Sequence, residues 1–266
     1  MRNSNKLVVI ALLLLLAAGG AYWYLQVLPE DAAPLVPALE TAPERMESAS
    51  PRYPIPTMPR RSAELPDLVE LPPLDDSDGY FALALVDLFG REVRDLLVES
   101  ALIEKFVATV DNLTRSHVAD RIRPLRSIPG PFLADAHGDN ETYTLNDDNH
   151  ARYELFVGLL TAADTDRIVE TYRRFYPLLQ QAYVSLGYPD GYFNDRVVEV
   201  IDHLLATPQP EEPILLIRPH VLYQYADADL EALSSGQKLL IRTGSKNTAS
   251  IKQFLGELRA RIAIGN

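Results

Sequence analysis

The chain has 266 residues, no cysteine, and 37 acidic against 25 basic side chains, which gives a formal net charge of -12. Such an acidic chain repels phosphate backbones, so nucleic acid is not expected as a partner. The lack of cysteine excludes disulfides, thiolate metal sites, a cysteine nucleophile and the acylated cysteine of a bacterial lipoprotein.

An uncharged apolar segment over residues 7–28 is predicted to be a transmembrane helix. LVVIALLLLLAAGGAYWYL, from Leu7 to Leu25, has about the twenty apolar residues that a helix needs to cross a bilayer. Arg2 and Lys6 precede the segment and acidic residues follow it, so residues 1–6 are expected to be cytoplasmic and the rest to lie outside. A cleaved signal peptide is the alternative, and it would export the rest of the chain as well.

Residues 29–74 hold more than half of the 20 prolines of the chain. This composition predicts a Pro-rich, disordered linker, with a recognition role for PRYPIPTMPRR, Pro51–Arg61, as an alternative to a plain spacer. Apolar periodicity begins at about Asp75, which predicts one mainly helical, extracytoplasmic domain over residues 75–266. The expected fold class is therefore mainly α, with a small antiparallel β element.

Helical periodicity indicates two helices at the start of this domain, over Tyr80–Phe89 and Ile103–Asp111. The acids of DDSD, residues 75–78, are expected to cap the first of them. A later helix has an apolar stripe along Asp166–Leu186, and Pro177 within it should kink the helix or restart it.

β structure is indicated at two places. Alternation on both sides of His-Gly-Asp-Asn in Pro129–Leu145 predicts a hairpin, and Ile214–Tyr225 predicts a second extended pair. Further on, Ser234–Gln237 has the pattern of a capping box, and Gly244 is expected to end the helix that follows. The last helix carries its apolar stripe within 251–262.

The stretch LGYPDGYFNDRVVEVIDHLL, Leu186–Leu205, concentrates polar side chains on one arc of a predicted amphipathic helix. Beside Arg196, this arc holds the candidate catalytic residues Asp195, Glu199, Asp202 and His203. Such an arc can supply an acid and a base or gather a divalent cation. The favoured alternative is a solvated helix face, because no two-histidine spacing supports a metal, and no metal site is predicted.

The turn before that helix combines aromatic rings with a carboxylate. The candidate ligand-binding residues are Tyr188, Asp190, Tyr192 and Phe193, since an exposed aromatic ledge can stack on sugar rings or hold a peptide. The alternative is that these rings are tucked under the domain and that the turn serves the helix that follows it, which Asn194 or Asp190 can cap. Their burial decides between the two.

A second candidate ligand site is a run of basic residues after the second predicted helix. Arg121, Arg123 and Arg126, with Arg115 before them, carry guanidinium groups that bind carboxylates and phosphates bidentately. The run predicts a pocket for a small anion. The favoured alternative is that these arginines pair with the surplus acids of the domain.

Catalytic fingerprints are weak along the chain. Ser235–Lys238 matches the SxxK motif of penicillin-binding enzymes, but its apparent companion motifs follow within a few positions and in reversed order. No GxSxG, P-loop or dinucleotide fingerprint occurs. No cofactor is predicted, and the balance favours a protein that is not an enzyme.

Six segments resemble one protein family, in the same order along the chain. They are FVATVDNL (Phe106–Leu113), RPLR (Arg123–Arg126), PGPF (Pro129–Phe132), YRRFYPLLQQAY (Tyr172–Tyr183), GYPDGYFNDR (Gly187–Arg196) and LEALSSGQKLLIRTG (Leu230–Gly244). The family that they resemble is catalogued as domain of unknown function 3014. The resemblance brings no activity, fold or ligand with it, and it implies a protein of the bacterial envelope.

The expected function follows from this architecture. We expect a single-pass protein of the bacterial inner membrane with a periplasmic domain. That domain should be a non-enzymatic binding or assembly module for an envelope protein or a cell-wall partner. A hydrolase of cell-wall glycan or peptide that uses the acidic helix face is the alternative, and a receptor for a small anionic ligand is the second alternative.

Overall fold

The structure is a computed structural model, and it describes residues 50–55, 70–126, 131–137, 142–162 and 164–264. The predicted cytoplasmic tail and transmembrane helix lie outside the described residues, as does most of the predicted linker. Within the described ranges, no helix combines the length and the apolar character needed to cross a bilayer.

Most of the described chain is helical, as the sequence predicts. Its α-helices are α1 (Asp78–Phe89), α2 (Leu102–Asn112), α3 (Asp148–Thr161), α4 (Thr165–Ser185), α5 (Phe193–Leu205), α6 (Ala228–Glu231), α7 (Ser235–Arg242) and α8 (Ser245–Ile262). Short 3-10 helices cover Leu74–Asp76, Arg91–Leu96 and Asp120–Ile122. The mainly α fold class is confirmed for this part of the chain.

One small antiparallel sheet accompanies the helices. Its strands, in spatial order, are β1 (Ala134–His137), β2 (Thr142–Leu145), β3 (Leu215–Ile217) and β4 (Gln224–Tyr225). The predicted hairpin and the predicted second pair are both confirmed. They join into one sheet because β2 also pairs with β3, and a small apolar cluster that includes Leu145, Leu216 and Ile241 packs the sheet against α7.

The acidic residues before α1 do not cap that helix as predicted. The residue that flanks α1, Ser77, makes no cap bond and donates its hydroxyl to the carbonyl of Leu74. Asp78 caps a different helix, because its carboxylate oxygens accept the amides of Ala101 and Leu102, each at 2.7 Å. These amides open α2, where Ala101 has a left-handed φ of 55°, so Asp78 satisfies the donors of a strained helix start.

Helix α4 continues through Pro177 without restarting. A proline in a helix interior removes one main-chain hydrogen bond and costs about 3 kcal/mol. Phe175, Leu178 and Leu179 are buried on the stripe around it, and each such side chain contributes about 1.5–3 kcal/mol on burial. Packing therefore outweighs the local cost, and the restart that the sequence suggested does not occur.

Helix α5 packs against α2, α4, α7 and α8. The apolar arc of its wheel is buried in the main core, and it consists of Val197, Val198, Val200, Ile201 and Leu204. At about 1.5–3 kcal/mol for each side chain, this arc fixes the rotation of α5 about its axis. The polar arc consequently lies at the margins where α5 meets its neighbours.

Candidate functional site

The helix that carries the candidate catalytic residues begins with a cap from another helix. The flanking residue Tyr192 makes no cap bond, and Asn194, a predicted cap, bonds elsewhere. Gln180 of α4 takes this role: its Oε1 accepts the amide of Phe193 at 2.8 Å, and its Nε2 donates to the carbonyl of Gly191 at 2.7 Å. Helix α4 thus fixes the first turn of α5 and leaves the side chain of Asn194 for other contacts.

The first turn of α5 holds a piece of the predicted linker. We call Asn194 and Asp195 the clamp, and residues 50–55 the tether segment. The carboxylate of Asp195 accepts the main-chain amides of Arg52 at 2.9 Å and of Tyr53 at 2.8 Å. The Nδ2 of Asn194 donates to the carbonyl of Tyr53 at 2.8 Å. Three hydrogen bonds therefore join the clamp to the main chain of the tether segment.

Arg196 ties α5 to α2 through the buried side chain of Asp111. Its Nε donates to Asp111 Oδ1 at 2.9 Å, and its Nη2 donates to the Asp111 carbonyl at 2.6 Å and to the Thr114 hydroxyl at 2.7 Å. Its Nη1 pairs with Glu199 at 2.8 Å. Burial lowers the pKa of Arg196, but the attraction of Asp111 and Glu199 outweighs this effect, so the pKa is raised overall. Glu199 is therefore one member of an ion-pair network between two helices.

Asp202 and His203 contact two further helices. Both carboxylate oxygens of Asp202 accept from Arg259 of α8, and Nη2 lies 2.9 Å from Oδ2. The Nε2 of His203 lies 2.8 Å from the hydroxyl of Ser234, the residue before α7. Burial, and then the charge of Arg196, lowers the pKa of His203. The neutral imidazole is favoured at neutral pH, and its unprotonated Nε2 can accept the Ser234 proton.

The four candidate catalytic residues share one helix face, but each has a different partner, and three of these partners lie outside α5. One surface cleft is lined by residues between 78 and 126, a second by residues between 208 and 248, and a third by residues of 135–150 and 212–214. None of the four candidate catalytic residues lines any of these three clefts. In the part of the chain that the structure describes, no group of three His, Asp or Glu is placed to hold a metal ion. The face supplies contacts between elements, and its catalytic use stays a prediction.

The aromatic residues of the preceding turn pack under the domain. Phe193 is fully buried, so it is a core residue and not part of an exposed ledge. The half-buried ring of Tyr188 stacks on Tyr183 with 4.7 Å between centroids, and its hydroxyl donates to Asp111 at 3.2 Å. Burial raises the pKa of Tyr183 to about 12. The remaining two candidates are Tyr192, which is half-buried, and Asp190, which is exposed.

The run of arginines divides between buried and exposed positions. Arg123 is 3% exposed, its Nη1 lies 2.7 Å from the carboxylate of Asp120, and burial lowers its pKa to about 10. Arg126 pairs with Glu99 at 3.2 Å, and Arg121 is exposed. Acids of the domain thus neutralise Arg123 and Arg126, and Arg123 offers no surface to an external anion.

The serine and the lysine of the SxxK match stabilise the fold. The Ser235 hydroxyl donates to a carbonyl at the end of α2 at 3.4 Å, and Lys238 pairs with Glu231 at 2.6 Å. The capping box of Ser234 and Gln237 is confirmed. This stretch therefore opens α7 and joins it to its neighbours.

The clamp contact could be found only in part from the sequence. The tether segment overlaps Pro51–Arg61, for which a recognition role was left open, whereas Asn194 was expected to cap a helix. Asp111 was not a candidate, although it is the buried centre of the Arg196 network. One signal is visible in the sequence. Two residues with main-chain N–H groups lie between Pro51 and Pro54, and both of these N–H groups donate hydrogen bonds to the clamp.

Comparison with known proteins identifies the family. The model of the family described as "Protein of unknown function (DUF3014)" matches residues 102–259, which is more than half of the 266 residues. The chain belongs to this family, as its segments predicted. No curated protein and no solved structure matches the chain. The assignment of the family to the bacterial envelope stays a prediction.

Proposed function

We propose that this protein is a membrane-anchored protein of the bacterial envelope whose domain is a non-enzymatic binding module for a peptide segment of an envelope partner. In this proposal residues 7–28 anchor the chain in the inner membrane, with residues 1–6 in the cytoplasm and the domain in the periplasm. The basic residues before the anchor and the acids after it support this orientation. The proline-rich composition of residues 29–74 suits a spacer that lets the domain work away from the bilayer.

The observation that carries the binding role is the contact between the clamp and the tether segment. All three clamp bonds reach main-chain groups, which every peptide has, and neighbouring side chains then supply specificity. Tyr53 and Ile55 of the tether segment are half-buried against the main core. The domain thus offers a surface that accommodates a peptide.

The rest of the polar face of α5 supports binding over catalysis. General acid–base chemistry needs side chains whose free lone pairs or protons reach one substrate. Both oxygens of Asp202 are bonded to Arg259, and Glu199 offsets the charge of Arg196. These carboxylates are paired with arginines of the domain, and the three surface clefts described above do not include them.

Site-specific crosslinking in intact cells tests this function. A photoreactive amino acid in place of Tyr192, which lies two residues before Asn194, should capture one defined envelope protein. Capture should be lost in Asp195→Ala, which removes the acceptor of the peptide amides. It should persist in Asp166→Ala, which removes an exposed carboxylate of α4 that pairs with Arg261.

A different result would support the hydrolase alternative. If the purified chain turns over peptidoglycan or a peptide, if Glu199→Gln abolishes that turnover, and if no Asp195-dependent capture occurs in cells, the binding proposal is wrong.

A further inference from the structure

The prolines of the tether segment fix its register on the clamp. Proline has no main-chain N–H. Arg52 and Tyr53 are the two residues between Pro51 and Pro54, and the Asp195 carboxylate accepts both of their amides. A shift by one residue in either direction would place a proline nitrogen against the carboxylate and remove one bond. Proline spacing therefore selects this register over its neighbours.

The two amides reach one carboxylate because the tether segment bends. The main chain is bent at Arg52 and Tyr53. In a straight strand, consecutive residues point in opposite directions, so their amides could not share a single acceptor. Successive N–H groups on one side form a nest, which binds anions, and the anion here is the side chain of Asp195. The recognised feature is thus a bent main chain between two prolines.

Groups outside the tether segment hold Asn194 of the clamp in place. Asn194 is fully buried; its Oδ1 accepts the Tyr172 hydroxyl at 3.1 Å, and its Nδ2 also donates to the carbonyl of Ile262 at 3.0 Å. The Asp195 side chain is 14% exposed. Because the partners of Asn194 do not belong to the tether segment, this residue of the clamp is preorganised for a peptide, which lowers the entropic cost of binding.

The two central positions of the segment contribute differently. The side chain of Tyr53 is half-buried against the main core and interacts with the Arg259 guanidinium. The side chain of Arg52 is 69% exposed, and its Nε lies 4.0 Å from Asp195, beyond hydrogen-bond distance. Tyrosine at the second position therefore adds contacts with the core and with Arg259, whereas the exposed first position accepts many residues other than proline.

We propose that the clamp is a binding site for a bent peptide with a Pro-X-Tyr-Pro core, and that residues 51–54 of the same chain occupy it as an autoinhibitory ligand. This inference rests on the proposed binding function. Residues 56–69 join the tether segment to the domain, so the resident core is an intramolecular ligand, and short connections typically give such ligands effective concentrations in the millimolar range. A free peptide at micromolar concentration competes poorly with such a ligand. The site opens to a partner only when the resident core is released.

Peptide binding to the full chain in detergent micelles tests this proposal. The probe is a fluorescent peptide, SPRYPIP, which copies residues 50–56, and its binding is followed by anisotropy. Arg52→Pro removes an amide that the clamp accepts, whereas the matched control Arg52→Ala removes only the exposed side chain. If the resident core is bound about ten times more often than it is free, and Arg52→Pro weakens it at least about tenfold, the apparent Kd should fall about five- to tenfold. Arg52→Ala should stay within about twofold of the unmodified chain, because the amide is retained.

Two further changes test specificity. Adding Asp195→Ala to the Arg52→Pro chain should abolish peptide binding. The peptide SPPYPIP, which lacks the first of the two amides, should bind at least about tenfold more weakly than SPRYPIP, since one charge-assisted bond is lost. Equal peptide binding by the unmodified chain and by Arg52→Pro overturns autoinhibition, and equal binding of the two peptides overturns the stated core.

Hydrogen exchange of the Tyr53 amide gives a second measurement that needs no variant with a new proline. The amide should be protected in the unmodified full chain, and excess SPRYPIP should accelerate its exchange, because the free peptide displaces the resident core. An unprotected Tyr53 amide would overturn the proposal. So would a dimer in light scattering that Arg52→Pro dissociates, since the resident core would then come from a second copy.

The outcomes separate this proposal from the proposed function. Asp195-dependent capture in cells without release by Arg52→Pro keeps the binding function and removes autoinhibition. Peptide binding by Arg52→Pro without any capture in cells keeps the site and removes the envelope partner.

Discussion

Removal of the Asp111 carboxylate should destabilise the domain by about 3–5 kcal/mol, the usual cost of breaking a buried ion pair. The side chain is 5% exposed, and it accepts from Arg196, Arg115 and Tyr188 at 2.9, 3.1 and 3.2 Å. In Asp111→Ala, Arg196 keeps Glu199 as its carboxylate partner, but Glu199 is 56% exposed. A solvated partner offsets only part of the loss, so we expect a value near 3 kcal/mol, the lower end of this range.

Thermal unfolding of the purified chain measures this effect. For a domain of this size, 1 kcal/mol shifts Tm by about 2–4 °C, so Asp111→Ala should lower Tm by about 6–12 °C. Asp166→Ala is the matched control, because this carboxylate also pairs with an arginine but is 82% exposed, and its loss should cost less than about 1 kcal/mol. Adding Arg196→Met to Asp111→Ala should recover part of the loss, since no cation then remains largely buried with only the exposed Glu199 as its carboxylate partner. If Asp111→Ala unfolds at the same temperature as Asp166→Ala, solvent screens the network and this reasoning is refuted.

Three other predictions concern local packing and pH. Gly236→Ala should destabilise the domain by about 1–3 kcal/mol in urea unfolding, because an added Cβ would lie 2.7 Å from Leu204. Its control is Gly256→Ala, whose added Cβ meets open space within α8 and should stabilise the domain by about 0.5–1 kcal/mol. Changes in stability of the same sign in the two variants would contradict the packing argument. Pro177→Ala should stabilise by up to about 3 kcal/mol in the same assay, since it restores a helical N–H at an exposed position, and a loss of stability would show that the proline is needed. The pKa of His203 is lowered in the folded state, so the unfolded chain binds this proton more readily. The contribution of His203 to the free energy of unfolding is therefore fully present above about pH 6.5, and it declines as the pH falls below that value. Melting curves of His203→Gln between pH 7 and pH 5 should show a smaller decline than the unmodified chain, and an identical decline would assign the effect to other groups.

The positions of most elements could be predicted because periodicity and turn chemistry are local properties of a sequence. The wheel of α5 separates a buried apolar arc from a polar one, and the structure buries that apolar arc. The capping box of Ser234 and Gln237 needs four consecutive residues, so it is also visible in the sequence. Both depend on interactions within a few residues.

Caps supplied from a distance could not be predicted in this way. Asp78 was expected to help cap its own helix, but it accepts amides that lie 23 and 24 residues further along the chain. The first amide of α5 is accepted by Gln180, which lies 13 residues earlier and on another helix. An unpaired N–H group at a helix start bonds to the acceptor that packing brings closest. Because packing is a property of the folded chain, sequence spacing does not specify that acceptor. The same reason explains why the partners of the α5 face were missed.

The polar face of α5 shows why residue type and spacing are not enough to identify chemistry. Three of its four candidate residues contact parts of the folded domain: Glu199 pairs with Arg196, Asp202 with Arg259, and His203 with Ser234. These partners belong to the folded domain itself, so the three side chains contribute to contacts within it. Asp195 differs, because its partner is a proline-bounded segment that contributes only half-buried side chains to the core, and it is this segment that we propose a partner peptide replaces. The proposed exchange of peptides therefore depends on the start of α5, where Asp195 accepts the two amides between Pro51 and Pro54.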